Sequence, residues 1–133
     1  MRYRLGEQSR MKSKKQIAAV FNSSTTGFVF PLKCLFNIND IHKPGTTQVL
    51  ITVPKRIFKS AVKRNKIKRL IREVYRLQRP DFEQELLKKN IALDIAFIYV
   101  GKTICDYHKM ESVMESLIYS ILKKYSYSQL ATS

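Results

Sequence analysis

The chain has 133 residues, 44% of them hydrophobic, with four glycines and four prolines; this fits one domain with one buried core and sets aside the disordered class for its middle. No apolar run approaches the roughly 18 to 20 residues of a membrane span, and no apolar stretch follows the basic N-terminus as a secretory signal requires. The net charge of +15 is well beyond what solubility needs, and it is concentrated. Residues 1–15 hold six bases and one acid, and residues 54–79 hold eleven bases against Glu73 alone, whereas 16–53 and 80–133 are close to neutral. Charge gathered into two segments is aimed at a polyanion.

The first dozen residues are polar, basic and without period, so 1–12 is expected to be a flexible tail. Ser13 and Gln16 have the spacing of a capping box, and Ile17, Val20 and Phe21 follow at helical intervals, predicting a short helix over 14–22. The polar cluster 22–27 stops it. Apolar side chains then alternate through Phe28, Phe30, Leu32, Cys34, Phe36 and Ile38, the period of a strand. Pro31 cannot donate to a ladder and divides the run into strands near 28–30 and 33–39. A loop with Pro44-Gly45 leads to a β-branched strand over 47–53, ended by Pro54. A basic helix is predicted over 59–78, stopped by Pro80, with a separate helical piece over 81–89. Residues 91–100 are apolar on both faces except for Asp94, as in a central strand covered twice. The last helix, over 108–125, carries Met110, Val113, Met114, Leu117, Ile118, Ile121, Leu122 and Tyr125 on one face, which core packing explains; 127–133 is expected to be a second flexible tail. The order α-β-β-β-α-β-α makes 1–133 a single-domain α+β sandwich.

At 100° per residue the basic helix divides into two stripes. Ile67, Leu70, Ile71 and Val74 form an apolar stripe that can anchor on a sheet. Ala61, Asn65, Arg69, Arg72 and Arg76 fall within about 80° of one another on the other side, flanked by Arg64 and Lys68 and by Lys59 and Lys66. Like charges three and four residues apart, with few interleaved acids, destabilise an isolated helix; a polyanion would neutralise them. Arginine forks suit bidentate phosphate contacts, and Asn65 adds a donor and an acceptor able to read a 2′-hydroxyl or a base edge.

The phenylalanines at 21, 28, 30 and 36 are candidates for base stacking, each weighed against an ordinary place in the core. Cys34 and Cys105 have no metal or redox spacing and read as small hydrophobes; His42 and His108 have no ligand-spaced partners. No catalytic constellation and no metal site of the protein's own is present in the pattern.

The run Ala61-Val-Lys-Arg64-Asn65-Lys-Ile-Lys68-Arg69-Leu-Ile-Arg72-Glu73 closely resembles the R-N-x-x-K-R-x-x-R signature of the bacterial ribonuclease P protein subunit. The resemblance extends over nearly the whole chain: Ser13-Lys-Lys before a helix carrying Phe21, a strand running into Pro54-Lys55-Arg56, and a last strand Asp94-Ile-Ala-Phe-Ile-Tyr followed by Asp106-Tyr107 and a helix. It implies a ribosomal-protein-like fold with a left-handed β-α-β crossover, against the usual right-handed preference. It also implies a cytoplasmic protein that binds the catalytic RNA of ribonuclease P, with precursor tRNA as substrate, no membrane and no small-molecule substrate. The RNA would carry the active site and Mg²⁺, and the complex would remove the 5′ leader. Carried over by position, Arg64, Asn65, Lys68, Arg69 and Arg72 would contact the catalytic RNA, joined by Arg76 of the same stripe. Phe21, Phe36 (where the family often has tyrosine), Lys55 and Arg56 would line a leader cleft between the first helix and the sheet. Ile17 stands where many members have phenylalanine, and the 53–59 linker lacks the commoner glycine. A ribosomal or ribosome-assembly protein of similar fold is the alternative, since it would need the same basic helix.

Overall fold

In the computed structural model, which describes residues 10–11, 13–22 and 25–132 (side chains to 125), the first helix, α1, spans Lys14–Phe21. The Ser13 hydroxyl accepts the Gln16 N–H at 3.3 Å, as the capping spacing requires. The Gln16 side chain does not close the box. Its amide reaches the sheet instead, donating to Gln48 and Asp94. Most of the tail expected over 1–12 lies outside the described residues; its end is laid along the sheet, with Met11 N–H donating to the Val49 carbonyl at 3.0 Å.

Strands β1 (Thr26–Val29) and β2 (Leu32–Ile38) form a hairpin whose two-residue turn is Phe30-Pro31, joined by a cis peptide bond. Strand β3 spans Thr47–Thr52 and β4 spans Leu93–Tyr99. The sheet order is β1-β2-β4-β3, with β4 antiparallel to β2 and parallel to β3. The parallel neighbours β3 and β4 are joined by helix α2 (Ala61–Lys88), giving the β-α-β unit expected from the resemblance.

Helix α2 differs from expectation at Pro80, through which it runs without a break. Proline removes one backbone donor and crowds the preceding turn, costing about 3 kcal/mol. Beyond it, however, Phe82 and Leu86 are fully buried in the same core as Ile67, Ile71, Val74 and Tyr75, and burial of each is worth about 1.5–3 kcal/mol. Glu83 adds a polar tie. It pairs with Arg79 at 3.1 Å, accepts the Thr47 N–H at 2.9 Å and accepts the Thr47 hydroxyl at 2.8 Å. These contacts hold the second half of the helix against the start of β3. The helix ends where Asn90 turns left-handed (φ 60°) and the Ile91 N–H reaches back to the Leu86 carbonyl. Helix α3 (Tyr107–Thr132) buries the expected stripe from Met110 to Ile121, with Leu122 and Tyr125 half-buried against it; its backbone continues over most of the stretch expected as a second tail.

One face of the sheet is covered by α2 and α3, and there Leu32, Cys34, Phe36, Ile95 and Phe97 meet the two helices in the main core. Among the described residues, the other face carries α1 and the segment at Met11. Val20 is buried there with Met11, Leu35 and Ala96, while Ile17, Leu50 and Ile98 are half-buried around them.

Candidate nucleic-acid interface

The anchored side of α2 fixes the direction of its basic stripe. With Ile67, Ile71, Val74 and Tyr75 in the core, Ala61, Asn65 and Arg69 are exposed on the opposite side and Lys68 and Arg72 are half-buried. The stripe is not uniform. Arg64 turns its Nη1 back to donate to the carbonyls of Phe58 (2.7 Å) and Lys59 (2.9 Å), so it orders the entry to the helix as well as contributing charge. Arg76 makes a two-pronged ion pair with Glu73, the one acid of this half of the helix. Asn65, Lys68, Arg69 and Arg72 are thus the centre of the stripe.

A fourth base joins the three of this centre. The chain at Arg10 bridges in parallel to Val49 on the outer edge of β3. There Arg10, Lys68 and Arg72 border a hollow of about 300 Å³ floored by Met11, Val49, Leu50 and Ile51. The Arg72 guanidinium is held below its ordinary range, first by burial and then by the like charges of Arg10 and Arg69. Cations crowded in this way are unfavourable in the free protein and suited to an anion that bridges them.

The α1 face of the sheet forms a second surface, and the strand register orders it in three rows. Asn37, Asp94 and Gln48 form the first, Leu35, Ala96 and Leu50 the second, and Lys33, Ile98 and Thr52 the third. At the first row Asp94 is only 4% exposed. Its carboxylate accepts from Gln16 Nε2 at 2.8 Å and from Asn39 Nδ2 at 3.1 Å to each oxygen, which offsets the cost of burying it and ties the start of α1 to the sheet. Ile17 and Val20 cover the second row; Ile17 therefore serves packing. At the third row Lys33 is exposed and Ile98 and Thr52 are half-buried. Phe21, 42% exposed, ends α1 towards this row. Lys55 and Arg56 are exposed in the turn that follows β3.

Phe36 does not join them. It is 2% exposed, on the opposite face of the sheet, edge-on to Tyr125 with ring centres 5.9 Å apart. The assignment of Phe36 to a cleft beside α1 is therefore corrected: it is a core residue. The reason is parity. The cleft position carried over from the family is not kept here, because Phe36 shares the face of Leu32 and Cys34 in β2; the turn at Phe30-Pro31 pairs Phe28 with Lys33 and Gly27 with Cys34. Even-numbered residues of β1 thus share a face with odd-numbered residues of β2. Phe28, 60% exposed, lies on the α1 side beside Lys33.

Among the described residues, no three histidine, cysteine, aspartate or glutamate side chains come together in a way that could hold a metal ion. Cys34 and Cys105 are free, and burial pushes the Cys34 thiol up to about 12. No helix among the described residues is long and apolar enough to cross a membrane.

The family model described as Ribonuclease P matches residues 5–123. The chain belongs to the ribonuclease P protein family. The family's general role lies in tRNA processing and its members bind RNA. Among similar proteins is the ribonuclease P protein component of Porphyromonas gingivalis, 31% identical over 117 residues that make up 88% of this chain and 85% of that protein. That of Borrelia hermsii is 34% identical over 115 residues, 86% and 92% of the respective chains. The fold is shared with the RNase P protein of Thermotoga maritima (TM-score 0.66, 19% identity, 84% and 96% of the two chains). It is shared as well with that of Staphylococcus aureus (TM-score 0.65, 20% identity, 89% and 98%). Sequence patterns locate the α2 stripe but not the placement of Arg10 beside it or of Lys33 on the α1 face. Arg10 has no periodic neighbours, and Lys33 acquires its setting only through strand register.

Proposed function

We propose that this chain is the protein subunit of ribonuclease P, docking on the catalytic RNA through Asn65, Lys68, Arg69 and Arg72 and holding the 5′ leader of precursor tRNA beside Phe21, Lys55 and Arg56. The observation that carries the reading is the signature run itself, set on a helix whose apolar side is fixed in the core and whose basic side is joined by Arg10 at the sheet edge. Arg64 serves the same docking surface by ordering the start of the helix. Arg76 contributes less because Glu73 offsets its charge. In this reading Mg²⁺ belongs to the RNA, which supplies the hydrolytic chemistry. The protein supplies fixed cations against phosphate, which lower the repulsion between catalytic RNA and substrate, and an oriented surface for the single-stranded leader.

Reconstitution tests this. The purified chain, added to its cognate catalytic RNA at low Mg²⁺, should accelerate release of the leader from precursor tRNA. No stimulation, together with recovery of ribosomal RNA rather than the catalytic RNA on purification from cells, would favour a ribosomal or assembly role instead.

A further inference from the structure

Phe28 is an exposed aromatic ring on a strand at the outer edge of the sheet, and a lone exposed ring needs no explanation. Its setting is what distinguishes it. The register places it directly across from Lys33, and Lys33 across from Ile98, which in turn neighbours Thr52. The third row of the α1 face therefore crosses all four strands. Helix α1 has eight residues and covers the rows nearer its start. In this row Ile98 is half-buried against the cluster beneath α1 and Thr52 is half-buried, while Lys33 and Phe28 stand exposed towards the β1 edge.

We propose that Phe28 is a second stacking platform for single-stranded RNA, extending the leader path from Lys55 and Arg56 along this row to the β1 edge. The inference rests on the leader-binding role proposed above and adds a residue, a direction and a length to it. Four strands at 4.7–4.9 Å spacing make the row about 14 Å wide, or about four nucleotides at duplex spacing. Its chemistry suits that occupant. Lys33 sits mid-path and Lys55 and Arg56 at the far end, all exposed, and the row itself contains no acid. Asp94, on the same face, is two rows away and engaged by Gln16 and Asn39. An aromatic ring beside a lysine is what a nucleotide with a stacked base and a flanking phosphate requires, and stacking of this kind accepts any base.

The test uses the holoenzyme reconstituted with its catalytic RNA and precursor tRNAs whose leaders run from one nucleotide to ten. Wild-type protein should bind more tightly as the leader lengthens. Phe28→Ala should lose about fivefold of that gain or more, and bind the shortest leader as wild type does. Phe28→Tyr, which keeps the ring, should retain the gain. Tyr119→Ala, which removes an exposed ring from α3, should behave as wild type. Because Phe28 is largely exposed, the alanine variant should melt close to wild type, so a binding loss reports on the surface. If Phe28→Ala gains as much from a long leader as wild type does, or if Phe28→Tyr fails as alanine does, the platform is overturned while the leader reading stands. If wild-type protein gains nothing from leader length, the leader reading falls and the platform with it.

Discussion

The two faces of the sheet are built from the same four strands and are covered very differently. On the α2–α3 side the rings of Phe36, Tyr75, Phe82 and Phe97 are buried, with Tyr75 within 5.5 Å of Phe97 and 6.4 Å of Phe82, centre to centre. On the α1 side an eight-residue helix covers part of the sheet, a carboxylate is held by two side-chain amides, and Phe21 and Phe28 remain exposed. The α2–α3 face sets the position of α2 and hence the direction of its basic stripe; among the described residues the α1 face leaves Phe21, Phe28 and Lys33 exposed. Which side of a strand a phenylalanine occupies therefore decides whether it is buried in the core or exposed to a partner.

The largest effect that would break this division is at Phe36. Phe36→Ala should destabilise the fold by about 3–5 kcal/mol, as removal of a buried ring does, read as a lowered denaturant midpoint. At a temperature where the variant is still folded, its preference for long leaders should match wild type. A selective loss of leader binding without loss of stability would place Phe36 on the wrong face.

At the α2 stripe, Arg69→Ala with Arg72→Ala should weaken binding to the catalytic RNA by about tenfold or more. It should also flatten the dependence on salt by about 1.4 to 1.8 logarithmic units per decade, the loss of two phosphate contacts. An unchanged slope would mean that neither guanidinium meets phosphate. The smallest effect is expected at Glu73. Glu73→Gln removes the acid that pairs with Arg76 and should tighten RNA binding by about twofold, the opposite sign to the arginine substitutions.

Much of this was legible in the sequence. Period-two alternation, helical stripes and turn residues located the helices and strands, and the charge run located the exposed basic stripe of α2. The misreadings have physical causes. Pro80 signals a stop locally, but Phe82, Glu83 and Leu86 gain enough from the core and from β3 to carry the helix through it. Phe36 is assigned to the cleft by its matching position in the family, although within β2 it shares the face of Leu32 and Cys34; the parity inversion at the hairpin turn moves Phe28, not Phe36, to the α1 side. Arg10 and Lys33 owe their positions to neighbours distant in sequence, Val49 and Ile98, and no local pattern marks such pairings.

The central claim, that the α1 face meets the leader while the α2–α3 face is core, can be tested by crosslinking from a single position. A photoactivatable group attached through Lys33→Cys, with Cys105 replaced by serine and the buried, poorly ionised Cys34 left in place, should capture the labelled 5′ leader in the holoenzyme–precursor complex. The same group attached through Tyr119→Cys should not. Leader captured from position 119, or none from position 33 in a complex shown to have formed, would contradict the account.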